Sequence, residues 1–154
     1  MDEEFVDGAF GANNPIDEIW TEAIDIWMKE PGDRLEDHLG CFVSIGTGIP
    51  AFSEVGSSIP EMFKTLQSIA TDCETKAENF RRHHRALEGR FFRFNVLRGL
   101  EGIGLEETNK RDLITSATRQ YLESQASLLE IERFHAAMLQ RQRMCTRSIT
   151  GTSN

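Results

Sequence analysis

The feature that most constrains this chain is the run Cys41-Phe42-Val43-Ser44-Ile45, which ends at once in Gly46-Thr47-Gly48. It is apolar throughout except for Ser44, and two glycines close together stop it. That pattern fits a strand buried on both faces, as in a parallel sheet. Such a sheet needs helices on both sides, so the rest of the chain must supply them.

The surrounding sequence supplies several. Asn14-Pro15 opens a helix, with Asn14 suited to the N-cap and Pro15 to the first helical position. Asp17 and Glu18 fall in its first turn, where negative charge is favoured. Ile16, Ile19, Trp20, Ala23, Ile24 and Trp27 recur at spacings of three and four, which predicts one buried face, and Pro31-Gly32 stops the helix. Residues 51–58 are small and polar and read as a loop. Pro60 starts a second helix, whose stripe is Phe63, Leu66, Ala70, Cys73, Ala77 and Phe80. Phe91 to Val96 is aromatic-rich and reads as a strand. After a connection from Gly99 to Gly104, helices are expected over 112–123 and 125–143. Phe5-Val6 looks like the last residues of a further strand. The rhythm is α/β with about three strands. Three strands make a poor free-standing parallel sheet, so the amino-terminal half of the fold is expected to be missing. The expected organisation is one domain over 1–143 and an unstructured Ser/Thr/Gly-rich tail over 144–154.

Charge and composition exclude several functions. The formal net charge of −8 argues against nonspecific nucleic-acid binding. The one basic cluster, Arg81, Arg82, His83, His84 and Arg85 with Arg90 nearby, reads as a solvated helix end; contact with a lipid headgroup is the other reading. The three cysteines, Cys41, Cys73 and Cys145, form no C-x-x-C pair, so neither a zinc site nor a disulfide framework is expected. Cys41 and Cys73 read as core residues, and free thiols fit a reducing compartment. His83-His84 lacks metal-ligand spacing, and no metal or cofactor is expected. Met1-Asp2-Glu3-Glu4 does not resemble a signal peptide, so a cytoplasmic location is expected.

The candidate position for chemistry is Asp7, on the glycine-rich turn between the Phe5-Val6 stub and the first helix. In α/β sheets ligands gather at the carboxyl ends of strands. Gly8 and Gly11 allow a tight turn and close approach to the carboxylate. Taken alone, Asp-Gly is a common turn whose aspartate bonds its own backbone. Ser44 to Gly48 lacks the lysine of a P-loop and the third glycine of a dinucleotide fingerprint.

Asp7-Gly8-Ala9, followed by Asn13-Asn14-Pro15 and then by Ser44-Ile45-Gly46-Thr47-Gly48, resembles the patatin-like phospholipase family in order and spacing. Phe91 to Val96 and Ala117 to Leu122 resemble its later segments. The resemblance implies part of a three-layer acyl-hydrolase sandwich. It also implies a Ser–Asp dyad that hydrolyses lipid acyl esters, with Asp7 as general base supported by Gly8, Ala9, Gly11, Asn13, Asn14 and Pro15. A phospholipid or related lipid would be the substrate, met at a membrane surface only peripherally. The sequence has no G-x-S-x-G elbow and no oxyanion loop, which in this family precede the aspartate. The chain alone is therefore expected to be inactive. The alternative is a non-catalytic remnant or protein-interaction module with a partial α/β fold.

Overall fold

The computed structural model of the chain describes residues 12–48, 60–100, 103 and 108–150. Phe5-Val6 and the 51–58 loop lie outside the described residues. Helix α1 spans Ile16–Trp27, with Asp17 and Glu18 in its first turn. Its cap differs from expectation by one position. Pro15 is the capping residue, its carbonyl accepting the Ile19 N–H at 2.9 Å, and no side chain caps the helix. Asn14 instead ties the start of the helix to Cys73, its Nδ2 donating to the Cys73 carbonyl at 2.8 Å. A single turn, α2 (Leu35–His38), then precedes strand β1 (Phe42–Ile45). Helix α3 (Pro60–His83) leads through a 3-10 turn, Arg85–Leu87, to strand β2 (Phe91–Phe94).

β1 and β2 pair in parallel, with Phe42 opposite Phe91 and Ile45 opposite Phe94. The described fold is thus a small α/β unit, a two-stranded sheet flanked by helices. α3 lies on the crossover between the strands, the connection that parallel pairing requires.

Side chains alternate between the two faces of a strand, so Phe42, Ser44, Phe91 and Arg93 share one face. There Phe42 packs on Trp20 and Phe80, and Phe80 packs on Phe91, with ring centroids 5.2–5.8 Å apart. Ile16, Leu35, Ala77 and Leu87 complete this core. Cys73, Ala77 and Phe80 are buried, as their stripe predicts. Burying one such aromatic side chain contributes about 1.5–3 kcal/mol.

On the opposite face Phe92 and Phe94 meet Phe134 of helix α5 (Gln125–Thr150). Here β1 departs from expectation, for it is not buried on both faces. Val43 is 36% exposed and Ile45 78% exposed. Just before β1, Cys41 Sγ lies 3.4 Å from Met138 Sδ of α5, and Cys41 is half-buried rather than core. α1 departs in the same way. Ile16 and Trp20 are buried, but Ile19, Ile24 and Trp27 are exposed, Trp27 at 61%. The periodicity is helical, yet the buried stripe is narrower than the apolar face: Ile16, Trp20 and Ala23 pack on the core, and Ile19, Ile24 and Trp27 are left outside it.

Helix α4 (Arg111–Leu122) brings Ala117 against Val96 and Leu100 in a second small cluster, with Tyr121 beside it. α5 continues through Thr150, into the segment expected to be an unstructured tail. No helix among the described residues is long and apolar enough to cross a membrane.

Candidate functional site

A polar network lies at the carboxyl ends of β1 and β2. Its centre is Glu74 of α3, whose Oε1 accepts three hydrogen bonds. Two come from the Arg93 guanidinium, at 2.7 and 3.2 Å, and one from Asn95 Nδ2 at 2.7 Å. Arg93 Nη1 also donates to Ser44 Oγ at 2.9 Å. Asn95 Oδ1 accepts the Gly48 N–H at 2.7 Å, and the Asn95 N–H donates to the Tyr121 hydroxyl at 3.2 Å. The network joins α3, both strands, α4 and the loop that leaves β1.

That loop needs glycine for reasons of space as well as conformation. A Cβ at Gly46 would overlap the Asn95 side chain. Gly48 has φ +101°, a region that favours glycine, and a Cβ there would overlap Leu100. The arrangement fixes a tight backbone loop at the sheet end where α/β proteins commonly bind ligands.

The network is saturated rather than reactive. No buried side-chain N or O atom among the described residues lacks a hydrogen-bond partner. Ser44 Oγ accepts from a guanidinium, which draws electron density from the hydroxyl instead of activating it as a nucleophile. No group of His, Cys, Asp or Glu among the described residues is arranged to hold a metal ion. The geometry therefore holds the backbone at the ends of the strands.

Of the expected site residues, Asp7, Gly8, Ala9 and Gly11 lie outside the described residues. Asn13, Asn14 and Pro15 are described, and the two asparagines meet α3 at one point. Asn13 Nδ2 donates to Cys73 Sγ at 3.1 Å, and buried Asn14 bonds the Cys73 carbonyl. Cys73 immediately precedes Glu74, so the end of the Asp7 motif and the brace on the Gly46–Gly48 loop are adjacent on α3. No family model, no curated protein and no solved structure matches the chain.

Sequence reasoning missed Glu74, Arg93 and Asn95. The available signal was Arg93 itself, a charged residue within an aromatic strand, since a buried charge requires a partner. Away from this site, His84 packs between Phe80 and Trp20, its ring 4.2 and 4.4 Å from theirs, with Glu36 3.9 Å from Nδ1. Burial pushes its pKa down, against an opposing pull from Glu36. It is a packing histidine rather than part of a solvated helix end.

Proposed function

We propose that this chain is the part of a patatin-like lipid acyl hydrolase domain that follows the nucleophile elbow. The reading rests on the order and spacing of Asp7-Gly8-Ala9, Asn13-Asn14-Pro15 and Ser44-Ile45-Gly46-Thr47-Gly48. It is supported by the adjacency of the second and third of these motifs at Cys73 and Glu74. Asp7 is the general base, acting directly on a serine hydroxyl carried by a G-x-S-x-G elbow outside this sequence. A carboxylate is a weak base, so burial must raise its pKa for the task. The substrate is a phospholipid or related acyl ester, met peripherally at a membrane surface by a cytoplasmic protein.

Loss of a nucleophile removes most of the catalysis. The isolated chain should therefore show no serine-dependent ester hydrolysis, and such turnover, abolished by Asp7→Asn, would overturn the proposal. The direct test is the mass and peptide coverage of the endogenous protein. A species well above 17.5 kDa with G-x-S-x-G upstream of Met1 supports the hydrolase reading.

A second reading, a non-catalytic interaction module, is favoured by one observation: Trp27 and Ile45 are largely exposed. Exposed apolar area of this kind marks partner surfaces or aggregation sites. A soluble monomer with a cooperative thermal transition would support the module, and aggregation of the isolated chain would support the broken enzyme.

A further inference from the structure

We propose that the cleft between the carboxyl end of α3 and helix α5 binds a phosphate group through Arg81, Arg82, Arg85 and Arg133. The cleft has a volume of ≈ 410 Å³ and lies beside Phe91, at the opposite end of β2 from Asn95. Three structural elements contribute to it. Arg81 and Arg82 belong to the last turn of α3, Arg85 to the 3-10 turn and Arg133 to α5.

The helix dipole accounts for cations on the last turn of α3. It does not account for Arg133, which comes from another helix, nor for the excess of guanidinium over carboxylate. The opposing charges lining the cleft are Glu78, Glu88 and Glu130. Glu78 serves two arginines, at 2.9 Å from Arg81 and 3.2 Å from Arg82. Arg133 stands 3.6 Å from Glu130, an ion pair without a hydrogen bond. Arg85 makes no ion pair among the described residues.

A guanidinium carries about five N–H donors. Arg81 and Arg82 each spend one on Glu78, so most donors around the cleft face water. Two of the four heads are already oriented. Arg81 is fixed over the Phe91 ring at 5.2 Å as well as by Glu78. The pKa of Glu78 is lowered, chiefly by its hydrogen bond from Arg81, so its carboxylate stays charged and keeps the pair in place. A tetrahedral dianion can take several bidentate pairs at once, which a single carboxylate cannot. A phosphate has this chemistry, whether on a lipid headgroup or in solution. The inference does not depend on the hydrolase reading, and either can fail without the other.

The test uses the whole chain and two probes. One is inorganic phosphate, followed by isothermal titration. The other is phosphatidylcholine vesicles with and without phosphatidic acid, followed by co-sedimentation. Binding should weaken about tenfold or more in Arg85→Glu, as expected for losing a charged hydrogen bond. Arg133→Glu, on a different element, should give the same loss. Arg98→Glu makes the same change in net charge at the opposite end of β2 and should leave binding unchanged. Vesicle binding with no response to inorganic phosphate assigns the site to a lipid phosphate. The reverse assigns it to a soluble one, and competition between the probes assigns it to both. Failure of both probes, binding to phosphatidylcholine alone, or equal losses in Arg85→Glu and Arg98→Glu would overturn the proposal.

Discussion

On one face of the β1–β2 pair, Phe42 and Phe91 are enclosed by Phe80 and Trp20. On the other, Phe92 and Phe94 meet Phe134, while Val43 and Ile45 stand open. The covered face carries Ser44 and Arg93 while the half-open face is wholly apolar, so residue type does not decide which face is buried. The difference lies in what crosses them. α1 and α3 together cover both strands, whereas α5 packs on β2 and leaves Val43 and Ile45 open, meeting Cys41 just before β1. An apolar strand therefore specifies that it can be buried, and the helices decide whether it is.

Substitutions can break this comparison. The largest effect is expected at Phe80, buried to 1% exposure between α1 and the sheet. Phe80→Ala should cost about 3–5 kcal/mol in urea unfolding. Phe134→Ala, on the half-covered face, should cost about 2 kcal/mol, the ring's burial plus its aromatic contacts. Equal losses at the two positions would mean that both faces are covered alike.

At the strand ends, Gly46→Ala should destabilise by about 1–3 kcal/mol, because the new methyl meets Asn95. Adding Asn95→Ala should recover part of that loss, and strict additivity of the two would contradict the contact.

A smaller effect follows from His84. Its pKa is lowered in the folded chain from 6.5. The unfolded chain therefore binds more protons in the window between the folded value and 6.5. The His84 contribution is full above 6.5 and is lost as pH falls through that window. Urea midpoints measured on both sides of it should show this decline, and His84→Gln should flatten it. Smallest of all, Ile45→Thr should change stability by no more than about 0.5 kcal/mol. A loss above about 1 kcal/mol would show that something covers β1 in solution.

Much of this fold was legible in local sequence. The glycine stop after Ile45, the Pro60 helix start and the Cys73, Ala77, Phe80 stripe each depend on residues within a turn or two of one another. Trp27 was misread because periodicity defines a helix face but not how far its partner extends. The site divided along the same line. Gly46, Gly48 and Asn13-Asn14-Pro15 carry short-range signals. The Glu74 brace depends on strand register, and its bonds to Arg93 and Asn95 cross 19 and 21 residues. No local pattern encodes such a pairing.

The parallel pairing has a kinetic consequence. Ser44 and Arg93 face each other across 49 residues of chain, and every rung of the ladder spans the same distance. Closing such a loop loses chain entropy before any strand contact compensates for it, and folding rates fall as contacting residues become more distant in sequence. The helix within the loop can shorten that search if it forms first, since helices nucleate far faster than non-local strands meet. Helix-weakening changes on the exposed side of α3 should then slow refolding more than they speed unfolding. α3 would thus act as a spacer that sets the timing of assembly as well as a wall of the core.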